Sequence, residues 1–117
     1  INEYHKKCEV YKLKPDLDNM EVHNNLKKLD SADVVITDTW ESMGETVNEK
    51  IIKDFSSYTV NQEMMRIFGD ECIFMHCLPA NRGQEVTPEV IDGPQSVVWD
   101  EAQNRLHIQK EIIKWCL

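Results

Sequence analysis

The chain has 117 residues, 13 Lys and Arg against 21 Asp and Glu, a net charge of −8, and a hydrophobic share of 41%. That length suits one domain around one buried core. The acidic balance argues against nucleic acid as a partner, because phosphate binding needs a basic face. No apolar run approaches the ~18 residues of a membrane helix. The first residues, Ile1-Asn2-Glu3-Tyr4-His5-Lys6-Lys7, lack the apolar stretch of a signal peptide.

The cysteines are Cys8, Cys72, Cys77 and Cys116, and no two stand at C-x-x-C spacing. Two disulfides are the alternative, but Met, Trp, Leu, Ile and Val are plentiful enough for a core without staples. Reduced thiols in a cytosol-like compartment are therefore expected. Ile1 is not Met, and the opening residues read as the tail of a helix. An N-terminal part of a larger protein is expected to precede them.

In chain order, Cys8 to Leu13 alternates apolar and polar residues, a weak strand signal that Pro15 and Asp16 break. Val22, Leu26 and Leu29 fall at i, i+4, i+7, an amphipathic helix with Asp18 or Asn19 as its cap. Ala32 to Asp38 holds a β-branched run bounded by polar residues, the mark of a buried parallel strand. Ser42-Met43-Gly44 is a loop. Thr46 and Glu49 form a capping box for a helix whose stripe is Val47, Ile51 and Phe55. Asn61 caps a helix from Gln62 to Phe68, and Gly69 stops it.

Cys72 to His76 is a second buried strand, ending in Cys77-Leu78-Pro79. Thr87-Pro88 starts a short helix. Ser96 to Trp99 reads as extended. Asp100 to Gln103 reads as a capping box for a last helix, with Ala102, Leu106, Ile113 and Leu117 near one face. Strands alternating with helices predict an α/β fold: a parallel sheet with helices on both faces. In such sheets ligands sit at the carboxyl ends of the strands. Two strands here end in chemically loaded residues, Asp38 and His76-Cys77.

Each candidate has a plain reading beside its functional one. Cys77 can face a crevice, or fill a core as a small hydrophobe. His76 can act as a ligand or base, or simply be hydrogen-bonded structure. Asp38 can bind an ammonium group, with Ser42 and Gly44 nearby, or cap a turn. Arg105 can offer its planar fork to a phosphate or carbonyl oxygen, or pair with Glu101 at i, i+4. Arg82 carries the same ambiguity. A cis bond at Leu78-Pro79 would aim a backbone carbonyl into a cleft. A metal centre is not expected, since the His and Cys residues lack clustered ligand spacing. The P-loop, the G-x-G-x-x-G loop and the Gly-x-Ser-x-Gly elbow are missing from the sequence.

Four stretches together resemble the carboxyl-terminal part of the ornithine carbamoyltransferases. They are Ala32 to Trp40, Ser42-Met43-Gly44, Met75 to Gly83, and Val97 to Arg105. The likeness runs from about Ser31 onward and is looser before it. The Asp-x-x-x-Ser-Met-Gly pattern with His-Cys-Leu-Pro is its specific part. The family commonly has Glu where this chain has Gln103.

The resemblance implies that residues 1–117 are part of a Rossmann-like ornithine-binding domain. Its last helix, about 100–117, would pack on a partner lobe, the carbamoyl-phosphate domain. It implies carbamoyl transfer from carbamoyl phosphate to the side-chain amine of L-ornithine, with neither metal nor organic cofactor. Asp38, Ser42, Met43, His76, Cys77 and Leu78 would hold ornithine. Cys77 and Arg105 would be the catalytic residues, with Arg105 on carbamoyl phosphate. A cytoplasmic homotrimer is the implied whole, or a mitochondrial one if a targeting segment precedes it. The family's Ser-x-Arg-Thr and His-Pro-x-Gln stretches do not occur here, so these residues alone are expected to be inactive. A non-catalytic binding module and a carbamoyltransferase for another amine are the alternatives.

Overall fold

A computed structural model describes residues 23, 29–40 and 49–117. The expected strand at Cys8 to Leu13, the helix with Val22 and Leu26, the Ser42-Met43-Gly44 loop and Thr46 lie outside the described residues. The elements are β1 (Val34–Thr37), α1 (Glu49–Phe55), a 3-10 turn (Ser56–Tyr58), α2 (Gln62–Phe68), β2 (Ile73–His76), α3 (Pro88–Ile91) and α4 (Val98–Cys116).

Both β-branched or aromatic-rich runs form strands, and they pair in parallel. Val35 stands beside Phe74, and Thr37 beside His76. Paired residues of parallel strands point to the same face. The Val35 and Phe74 side therefore meets one core, built from Val60, Met65, Val86, Val90, Ile91 and Val98. On its other edge β2 is held by the segment before α4. Phe74 N–H donates to Gln95 O (2.8 Å), and Val97 N–H donates to Phe74 O (3.0 Å).

The local signals at α2 hold. Asn61 accepts from Met64 N–H (2.9 Å), and Gly69 closes the helix at φ 94°, a region open to glycine at little cost. Pro88 takes the first position of α3, while the Thr87 side chain makes no cap bond. The start of α4 differs from expectation. The helix begins at Val98, so only Ser96 of the extended run bridges to Phe74. The Asp100 to Gln103 capping box does not form at a helix start, because Val98 is drawn fully into the core two residues earlier. From Ala102 onward every residue of α4 is exposed. No described helix is long and apolar enough to cross a membrane.

Candidate functional site

The register dictates where the site forms. Thr37 and His76 are the last partners of the ladder, so Asp38 and Cys77 leave the sheet side by side. Cys77 Sγ donates to Asp38 Oδ1 at 3.1 Å. Thr39 N–H donates to the same oxygen at 2.7 Å. These two donors hold the Asp38 carboxyl below its ordinary value, with the thiol the larger influence. The same contact, followed by burial, pushes the Cys77 thiol above its ordinary value. At neutral pH the pair is thus a carboxylate accepting from a protonated thiol. A thiol held protonated is a poor nucleophile, so this arrangement suits positioning better than covalent attack.

His76 is buried and lies behind the pair. Its Nδ1 accepts from Leu78 N–H (2.9 Å), which assigns the ring proton to Nε2. Nε2 faces Glu85 Oε1 at 3.3 Å, though off the line of a good hydrogen bond. Glu85 is fully buried, and Oε1 also accepts from Asn81 N–H. The His76 side chain therefore supports the Leu78 turn from the core side. The three donor atoms of Asp38, His76 and Cys77 lie within 4.8 Å of one another. His76 Nδ1 is occupied by Leu78 N–H and Nε2 lies against the buried Glu85, so the exposed donors of this group are a carboxylate and a thiol.

Leu78 has φ 53° and its bond to Pro79 is cis. Beyond it, Gly83 at φ 88° turns the loop, and its N–H donates to Val86 O at 2.8 Å. Arg82 is committed: its guanidinium forks onto Asp92 at 3.0 and 2.8 Å, so it is a loop staple. Arg105 is not paired with Glu101. Glu101 turns to the end of β2 and accepts from His76 N–H (3.1 Å). Arg105 is exposed and lies one helical turn, about 6 Å, further along the same side of α4. Among the described residues it makes no hydrogen bond or ion pair with the Asp38–Cys77 pair. Ser42 and Met43 lie outside the described residues.

Sequence reasoning missed Thr39, Asn81, Glu85 and Glu101 as parts of this site. The bonds that recruit them span 25 to 42 residues, apart from the local one between Glu85 and Asn81. The one available signal was their position, just beyond the two strand ends or on the helix that follows.

The sequence profile for "Aspartate/ornithine carbamoyltransferase, Asp/Orn binding domain" matches residues 2–116. An ornithine carbamoyltransferase of Dechloromonas aromatica is 59% identical over 87 residues, covering 74% of this chain and 28% of that protein. One from Methanothermobacter thermautotrophicus is 55% identical over 97 residues, covering 82% and 32%. Among solved structures, ornithine carbamoyltransferase from Pyrococcus furiosus superposes with a TM-score of 0.70 at 48% identity, over 79% of this chain and 30% of that one. A structure of N-acetyl-L-ornithine transcarbamylase gives 0.64 at 30% identity, over 78% and 29%. The chain spans under a third of the length of these curated relatives. A profile match over nearly every residue, with a paired Asp38 and Cys77 at the sheet's end, places the chain in the aspartate/ornithine carbamoyltransferase family, in its Asp/Orn binding domain.

Proposed function

We propose that this chain forms the amine-binding half of an enzyme that moves a carbamoyl group from carbamoyl phosphate to the side-chain amine of L-ornithine. The products are citrulline and phosphate. The observation that supports this reading most is the Asp38–Cys77 contact at the carboxyl ends of two parallel strands. An ammonium group arriving there meets an ionised carboxylate, a charge-assisted partner. The nitrogen must lose a proton before it attacks. Asp38 anchors the cation, and with the Cys77 thiol it relays that proton outward. The new C–N bond forms as the C–O bond to phosphate breaks; phosphate leaves with the electron pair and takes up the second proton that the nitrogen sheds.

The remaining roles follow the family pattern. Ser42 and Met43 join Asp38 in holding ornithine. Leu78 offers its carbonyl to the amine, and among the described residues no donor occupies that oxygen. His76 fixes the Leu78 turn. Arg105 reaches carbamoyl phosphate and stabilises charge developing on it. Aligning the two reactants supplies much of the acceleration. The partner lobe that binds carbamoyl phosphate, a homotrimeric assembly and a cytoplasmic setting complete the proposal, and the 117 residues alone are inactive.

The test uses the full-length protein. Asp38→Asn is expected to raise KM for ornithine and lower kcat/KM by about 10- to 100-fold, the scale of a hydrogen bond to a charged group. Unchanged kcat/KM in that variant overturns the assignment. Ornithine binding without citrulline formation by the unaltered protein would favour a non-catalytic module. The likeness to the N-acetyl-L-ornithine enzyme favours one second reading, another amine acceptor. Competition among ornithine, N-acetylornithine and putrescine separates the two.

A further inference from the structure

The hydrogen bonds at Asp38 close a ring. Cys77 Sγ and Thr39 N–H both donate to Asp38 Oδ1, at 3.1 and 2.7 Å. Asn81 Nδ2 donates to Thr39 Oγ1 at 2.9 Å. The covalent stretch from Cys77 to Asn81 completes the circuit. Asn81 is itself anchored, since its N–H is held by the buried Glu85 and its neighbour Arg82 is forked onto Asp92. One end of the Thr39–Asn81 contact is thus a braced loop. The other end is the residue directly after Asp38.

We propose that Thr39 and Asn81 are positioning residues: their side-chain contact clasps the two strand ends and sets the separation of Asp38 from Cys77. The backbone ladder stops at Thr37 and His76. Past that point, the Asp38–Cys77 and Thr39–Asn81 contacts tie the β1 end to the β2 loop. A thiol–carboxylate bond is weak by itself, because sulfur is a weak donor. The amide–hydroxyl bond at 2.9 Å is a second tie beside it. Among the described residues, the charged and titratable groups facing Cys77 are Asp38 from the end of β1, Glu101 from α4 and His76 from β2, whose Nε2 faces Glu85. Opening the clasp lets the carboxylate swing away and removes the largest influence on the thiol. The catalytic consequence rests on the amine-binding reading above. The clasp itself is read on the thiol without substrate, so the two can fail separately.

The experiment follows iodoacetamide alkylation of Cys77 against pH in the full-length protein, with the Cys77 and Cys72 peptides resolved by mass spectrometry. Buried Cys72 reports whether the fold is intact. Thr39→Val removes the acceptor with little change of shape, and Asn81→Ala removes the donor. Each is expected to move the Cys77 profile to lower pH and speed its alkylation near pH 8 by about 3- to 10-fold. Thr39→Ser keeps the hydroxyl and is expected to retain the unaltered profile. Where Thr39→Val also exposes Cys72, the exposed Asn81 position decides. An unaltered Cys77 profile in Asn81→Ala, or a Thr39→Ser profile as displaced as that of Thr39→Val, overturns the proposal.

Discussion

The two strands look alike on paper and live in different surroundings. β2 is gripped on both edges, and Phe74 at its centre is 0% exposed. β1 pairs along one edge among the described residues, and Ile36 at its centre is 67% exposed. Each is a short run of β-branched or aromatic residues followed by a polar one. The difference shows that β2 is the pillar and β1 the hinged leaf. The site forms where the leaf's end is fastened to the pillar's end by side chains.

Truncation at the pillar tests that contrast most severely. Phe74→Ala is expected to cost about 3–5 kcal/mol in urea unfolding, as large-to-small changes in a packed core do. Glu85→Ala comes next. It strips a partner from Asn81 N–H and leaves His76 Nε2 facing a void, and about 1–3 kcal/mol is expected from such orphaned groups. Ile36→Ala on the leaf should stay within about 1 kcal/mol. Equal losses at Phe74 and Ile36 would erase the distinction.

The smallest expected effect sits at the fastening. Asp38 has a lowered pKa, so its stabilising contribution is present above the ordinary carboxylate value of 3.8 and is lost as pH falls through the lowered one. Cys77 has a raised pKa, so its contribution is complete below the ordinary thiol value of 9.0 and is lost as pH rises through the raised one. The difference in melting temperature between the unaltered protein and Asp38→Asn should therefore be flat from about pH 5 to 8 and shrink on either side. Both side chains are exposed, so solvent screening keeps the difference small. A difference that grows below pH 4 would contradict the sign.

Much of this was readable along the chain where the cause is local. Asn61 and Gly69 bound α2 because a side-chain oxygen and a left-handed turn act within three or four residues. Asp38 and Cys77 stood out because each follows a predicted strand, and the register brings the two side chains together. Arg82 and Arg105 were not readable. Their partners are chosen by folding, and Glu101 is claimed by a strand 25 residues earlier. The capping box at Asp100 failed for the same reason: burial of Val98 outweighed a local preference. Glu85 carries no periodic signal at all, since it sits in a loop and is buried by tertiary packing.

One further consequence follows from the grip on Phe74. Its amide and carbonyl are both engaged by the Gln95–Val97 segment while the opposite edge meets Val35. A strand clamped in this way cannot slide by one place without breaking bonds on two sides. Such a slide would rotate every side chain to the reverse surface. The thiol three residues on would then point away from its carboxylate, so the Asp38–Cys77 contact is guarded by a phenylalanine sealed in the core.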